Sequence, residues 1–198
     1  MAEDDIKQWE EFRRGSNSAF SRIYEGHIRH LLSYGTKLSS DITLVEDCIQ
    51  DLFIELWNRK AFLSNTSSIR LYLFKALKRK IIHALVKNRK NANKDLDASE
   101  EEYTFHFTHS YESQWVEEQT FREREQKLEK ILERLPQAQR EVVYLRFFAG
   151  MSYDEIATLM AINYQSVNNH AYRAMKSLRK ALTDIILILT VVFQAWLF

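Results

Sequence analysis

Glycine, proline and cysteine are all scarce in this chain: four, one and one among 198 residues. So little Gly and Pro leaves few breaks, which argues for long helices over strands and tight turns and predicts an all-α protein. A single Cys excludes a disulfide framework and fits a reducing compartment. That residue, Cys48, falls on an apolar stripe, where a small core side chain is expected rather than a nucleophile. No nucleophile–base pair and no phosphate-binding Gly loop is present. His27 and His30 have no Asp, Glu or Cys spaced to complete a metal site, and the His106–His109 pair is not expected to hold a metal either. Neither enzymatic chemistry, a cofactor nor a small-molecule substrate is therefore expected. The first residues, MAEDDIKQWEEF, are acidic and lack an apolar run, which predicts no signal peptide and a cytoplasmic protein.

Net charge is only +1, but it is segregated in blocks. Residues 1–63 carry −3, residues 64–94 carry +9 with no acidic residue at all, residues 95–130 carry −7 and residues 131–183 carry +3. Such blocks point to separate partners for separate stretches.

Trp9 and Phe12 suggest a short first helix that stops near Gly15. Ser18 is a candidate cap for the next helix, which carries Phe20, Ile23, Tyr24, Ile28, Leu31, Leu32 and Leu38. Thr43 and Glu46 have the spacing of a capping box. The helix after them buries Leu44, Val45, Cys48, Ile49, Leu52, Phe53 and Leu56, and shows Asp47, Gln50, Asp51 and Glu55 outward with Trp57 near its end. An acidic, amide-bearing face beside aromatics suits a basic protein partner. A loop rich in Ser and Asn, 61–68, leads into IRLYLFKALKRKIIHALVKNRK. Here Ile69, Leu73, Ala76, Leu77, Ile81 and Leu85 form a buried stripe. Arg70, Lys75, Lys78, Arg79, Lys80, Lys87, Arg89 and Lys90 form a basic one, with Tyr72 and Phe74 interleaved. Cations neutralise phosphates and aromatic faces stack on unpaired bases, so a nucleic acid is the favoured ligand. An anionic membrane surface is the rival.

The stretch SYDEIATLMAINYQSVNNHAYRAMKSLRK, 152–180, reads as two helices and a tight turn. Ser152 and Glu155 have capping-box spacing. Ile156, Ala157, Leu159 and Met160 make one apolar face. Ala161-Ile162-Asn163 forms the turn, with Asn163 as the next cap. In the second helix Val167, Ala171, Ala174 and Leu178 face inward. Gln165, Ser166, Asn168, Asn169, His170, Tyr172, Arg173 and Lys176 face outward, and amides, hydroxyls and an Arg are the groups that read base edges and hold phosphates in a major groove.

Taken in order, VEDCIQDLFIELW, a polar loop, IRLYLFKALKRKIIHAL and then LPQAQREVVYLRFFAGMSYDEIATLMAINYQSVNNHAYRAMKSLRK resemble a bacterial sigma factor of the extracytoplasmic-function group. Such factors keep only the domains called two and four. The resemblance implies that Asp47, Gln50, Asp51, Phe53 and Trp57 dock on the clamp helices of the largest subunit of core RNA polymerase. It implies that Ser64–Ser68 with Arg70, Tyr72, Lys75, Lys78, Arg79 and Lys80 open and read the −10 element as a single strand. It further implies that Ser166, Asn168, Asn169, His170, Tyr172, Arg173 and Lys176 read the −35 element as duplex. The polymerase flap region and an anti-sigma factor are further implied partners. The chain departs from the family pattern at Arg79, where Asn is frequent, and at Ala161, where Gly is usual. Its recognition helix is also amide-rich, with Asn168 and His170 where basic residues are frequent.

The expected architecture is two small helical domains, 1–94 and 121–182, joined by an acidic linker, 95–120. The linker is expected to be poorly ordered because it is charged and lacks a helical period. An apolar helix, 183–198, would follow. Its core, Ile185–Phe198, is 14 residues, short of the roughly 20 that cross a bilayer. It is apolar on most sides, so a covering protein surface is expected. A helix-turn-helix regulator acting without polymerase is the alternative. It has no need of the Val45–Trp57 face. A membrane-associated interaction protein is a more distant rival.

Overall fold

Several of the helices start where a short polar side chain accepts amide protons that a first turn leaves unpaired. The computed structural model describes residues 2–92, 103–107 and 130–197, of which 2, 3, 90–92 and 181–197 as backbone alone. Helix α1, Ala2–Arg13, gives way to Gly15 at φ +95°. Ser16 then caps α2, Asn17–Leu38, its hydroxyl accepting from the Ala19 N–H at 3.2 Å. The sequence pointed to Ser18, but that residue already lies inside the first turn, and only Ser16 has the extended backbone a cap requires. Asp41 caps α3, Ile42–Asn58, accepting from the Leu44 N–H at 3.1 Å. Thr43 was expected to cap with Glu46. It sits one residue into α3, so its backbone is helical and the carboxylate ahead of it takes the role, favoured by the helix dipole. A 3₁₀ turn, Lys60–Phe62, and the polar loop lead to α4, Ile69–Ala92.

Residues through His106 form one unit and those from Phe107 a second. In the first, α2, α3 and α4 pack pairwise, with α1 against α2 and α4. Trp9, Phe12, Ile23, Leu31, Tyr34, Val45, Leu52, Leu56, Ile69, Leu73, Phe74, Leu77 and Ile81 are buried. Each such side chain contributes about 1.5–3 kcal/mol on leaving water. An aromatic chain links three helices: Phe12 stacks on Phe20 at 5.7 Å, and Phe20 meets Trp57 at 5.1 Å. Cys48 is buried, and burial raises its thiol pKa, which keeps it a protonated packing group.

Phe105 departs from the reading of residues 95–120 as a poorly ordered linker. Its ring is wholly buried in the first unit, 6.3 Å from that of Tyr34, and the His106 N–H donates to the Lys37 carbonyl at 2.8 Å. Disorder is judged from averages over a window, whereas one buried ring and one backbone bond suffice to fix a short segment. The rest of that stretch lies outside the described residues.

In the second unit, residues 130–133 are helical; residues 121–129 of the expected helical domain lie outside the described residues. Helix α5, Gln137–Val143, runs into a π-helical turn, Tyr144–Phe148, that ends at Gly150 with φ +66°. Glu133 pairs with the buried Arg140 and accepts from the Phe107 N–H. The Phe107 ring meets Phe148 at 5.0 Å and Tyr144 at 6.0 Å. Helices α6, Tyr153–Met160, and α7, Tyr164–Leu197, complete the unit. All these elements are helical, as the sequence predicts. The apolar C-terminal stretch continues α7 without a break, and the covering surface expected for its side chains lies outside what is described.

Gly35 marks the tightest approach in the first unit. A Cβ there would collide with Val45 Cγ1 and lie 3.3 Å from Ile81 Cδ1. Overpacking costs about 1–3 kcal/mol, more than the ~1 kcal/mol that Ala gains over Gly in a helix. Gly35→Ala should therefore lower stability in urea melts. Combined with Val45→Ala it should cost less than the two single changes together; strict additivity would show that the helices do not meet there.

Candidate nucleic-acid interface

The α3 surface separates cleanly into an inner and an outer face. Asp47, Gln50 and Asp51 are exposed, while Val45, Ile49, Leu52 and Leu56 are buried. Phe53, placed on the buried stripe by its spacing and among the docking residues by the resemblance, is only 4% exposed and packs on Tyr24 at 4.8 Å, so it shapes the surface from below. Trp57 is half-buried against Phe20, with the Lys60 ammonium 4.0 Å above its ring. One residue the sequence reading passed over is Ile54. It is 57% exposed, and it lies four residues beyond Gln50 and seven beyond Asp47, on the same face. Its position off the core stripe was the available signal.

The basic face of α4 is less uniform than its sequence. Lys75 and Arg79 are exposed, and Arg70 is partly so. Lys80 reaches Glu55 of α3 at 2.7 Å, which ties the two helices together and lowers the charge it offers a phosphate. The Lys78 ammonium lies 4.6 Å from the Tyr103 ring centre. Phe74, read as an aromatic interleaved among the cations, is fully buried and stacks on Tyr34 at 4.8 Å. It belongs to the core because it adjoins Leu73 on the inner stripe. Tyr72 is half-buried with its ring 5.0 Å from Trp9, and burial raises its phenol pKa.

The aromatic that does face solvent here is Phe62, 86% exposed at the end of the 3₁₀ turn. It was missed because loops carry no periodicity to single it out. The loop beyond it is ordered by its own side chains: Thr66 Oγ1 donates to the Ser68 carbonyl at 3.0 Å and accepts from the Ser68 N–H at 3.2 Å. Ser68 Oγ in turn accepts from the Leu71 N–H at 3.2 Å, in the first turn of α4.

In the second unit Ser152 and Glu155 form the expected capping box, with the two bonds at 3.2 and 2.9 Å. Asn163 Oδ1 accepts from the Ser166 N–H at 2.7 Å and so opens α7. Val167, Ala171 and Ala174 are buried, whereas Asn168, Asn169, Arg173 and Lys176 are exposed and Tyr172 is 68% exposed. Ser166 is half-buried at the cap. His170 is half-buried too, with its Nδ1 turned inward, so only part of its ring is presented. Ala161, where the turn reverses, adopts φ 54° and ψ 38°, the left-handed region.

A family model for Sigma-70 region 2 matches residues 23–91 and one for Sigma-70, region 4 matches residues 125–178, together more than half of the chain. The chain belongs to the sigma-70 family. It is similar to the RNA polymerase sigma-H factor of Pseudomonas aeruginosa, 24% identical over 187 residues that cover 93% of this chain and 96% of that protein. It is also similar to RNA polymerase sigma factor YlaC of Bacillus subtilis, 25% identical over 163 residues, 81% of this chain and 90% of the relative. Two solved structures share the fold. CnrH, solved with the cytosolic domain of CnrY, has a TM-score of 0.59 at 19% identity over 91% of this chain and 97% of its own. Sigma factor RpoE from Bartonella quintana, solved with the anti-sigma factor NepR, has a TM-score of 0.54 at 23% identity, covering 83% and 96%. With regions 2 and 4 both present, this sigma factor is of the extracytoplasmic-function group: it binds core RNA polymerase and directs promoter-specific transcription initiation. A regulator working without polymerase is not favoured.

Ala161 stands in the sigma factor's helix-turn-helix with a backbone that costs an L-residue about 1–2 kcal/mol. Because its side chain is exposed, little packing is lost on removing it. Ala161→Gly should stabilise the second unit by about 1 kcal/mol and raise its melting midpoint by several degrees in calorimetry. An unchanged or lower midpoint would show that the turn is not under strain.

Proposed function

We propose that initiation is divided among three surfaces of this sigma factor. The α3 face of Asp47, Gln50, Asp51 and Ile54, flanked by Trp57, docks on the clamp helices of the largest polymerase subunit. The 61–68 loop, Phe62 and the cations Arg70, Lys75, Lys78 and Arg79 hold the melted −10 strand, with Tyr72 beneath and Lys80 bracing α3. The exposed side of α7, from Ser166 through Lys176, reads the −35 duplex, and the second unit faces the flap region. Residues 1–94 and 121–182 thus serve as the two working domains.

The observation that carries this reading is α7. One side is locked into the core by Val167, Ala171 and Ala174, so the amides and Arg173 of the other side are presented together on one helix face, the kind of element that enters a major groove. We take the factor to supply recognition alone, leaving the chemistry to core polymerase, and to act in the cytoplasm beside that enzyme. An anti-sigma partner is part of the proposal, supported by NepR on RpoE, a structure of the same fold.

Two measurements test it. Gln50→Ala with Asp51→Arg should reduce competition for core polymerase at least tenfold without shifting the melting midpoint, since both side chains are exposed; about 1–3 kcal/mol rides on a central contact and a like-charge clash. Equal competition would remove α3 from the docking surface. Phe62→Ala should weaken binding of the −10 non-template strand by about 1–3 kcal/mol, the worth of one stacked base, with core affinity unchanged. A loss of core affinity with intact strand binding would assign Phe62 to docking instead.

A further inference from the structure

Helix α1 does more than complete the core of the first unit. Asp5, Trp9 and Arg13 recur every four residues, which puts them on one helical face. Each takes hold of a different point of the polar loop. The Trp9 indole Nε1–H donates to the Ser64 carbonyl at 2.9 Å. Arg13 donates to Asn65 Oδ1. Asp5 Oδ2 accepts the Ile69 N–H at 3.3 Å, where the loop enters α4. These bonds span 52 to 64 residues of sequence, so nothing local to the loop provides them. The family model for region 2 begins only at residue 23, after α1 has ended.

The geometry has a chemical consequence. Ser64 and Asn65 are exposed, beside the exposed ring of Phe62. A loop of this kind would ordinarily pay side-chain and backbone entropy on gripping a base. Fixing its carbonyl at 64 and its amide at 69 removes part of that cost before the base arrives. Arg13 engages one lone pair of Asn65 Oδ1 and so orients the amide, whose Nδ2 protons can then be offered to a base.

We propose that α1 is a bracket that sets the 61–68 loop for capture of an unpaired promoter base, with Asp5, Trp9 and Arg13 as positioning residues. By orienting Asn65, the bracket sets its amide protons toward an acceptor on the captured base. The proposal rests on the reading of this loop as the −10 reader.

The test uses full-length protein assembled with core polymerase. The probe is the non-template −10 strand of a promoter that this holoenzyme selects from a random-sequence library. Arg13→Ala and Trp9→Phe should each weaken strand binding and slow open-complex formation about two- to tenfold, the cost of holding one further side chain on binding. Affinity for core polymerase should stay within about twofold, as expected of a substitution outside the docking face, and Arg13→Lys should recover most of the loss. Asn65→Ala and Phe62→Ala serve as reporters of the loop itself. If these two weaken strand binding while Arg13→Ala and Trp9→Phe do not, the bracket is overturned and the loop reading stands. If neither loop variant has an effect, the loop reading fails and the bracket with it. Parallel loss of thermal midpoint, core affinity and strand binding in Arg13→Ala, not recovered by Arg13→Lys, would reduce α1 to a packing element and overturn the proposal.

Discussion

The burial of one stripe of α4 governs the first unit. Ile69, Leu73, Phe74, Leu77 and Ile81 are each wholly out of water, held between α2 and α3. At roughly 1.5–3 kcal/mol per side chain, that burial outweighs the mutual repulsion of surface cations, which salt screens to a fraction of a kcal/mol per pair. Because a helix turns 100° per residue, fixing this stripe also fixes where Lys75 and Arg79 point. The cost of concentrating so many cations is thereby met by the core.

The same division recurs on the other surfaces proposed to meet a partner. On α3 the inner stripe fixes the outward direction of Asp47, Gln50 and Asp51, and Lys80 crosses to Glu55 to hold α3 and α4 together. On α7 three small residues, Val167, Ala171 and Ala174, allow close packing on the rest of the unit while the larger polar side chains stay outside. The left-handed Ala161 is the concession that the second unit makes to its function: the chain must reverse within three residues for α7 to follow α6 at all.

Much of this was legible in the sequence because it depends on period and on local chemistry. The capping box at Ser152, the Asn163 cap, the inner stripes of α3, α4 and α7 and the solvent side of α7 are all contacts between residues three or four apart. The misplacements have a common physical origin. Phe74 sits at the edge of an apolar stripe, where a period of 3.6 allows either side, and a neighbouring aromatic, Tyr34, draws it inward. Ser16 and Asp41 displaced the nearby Ser18 and Thr43 because capping depends on backbone angles that several adjacent polar residues compete to adopt.

The sequence by itself determined the helical class, the succession of two helical regions matched to sigma-70 regions 2 and 4, and the sign of charge on each surface. These follow from spacing and composition, which act over a turn or two of helix. Only the tertiary structure decided which aromatic is exposed, Phe62 rather than Phe74, and that Phe105 is anchored in the first unit. It alone revealed that the loop at 61–68 is held by Asp5, Trp9 and Arg13. Contacts between residues more than 50 apart leave no periodic trace: they arise when separately encoded helices come to share one core, and the packing of that core decides which side chains meet.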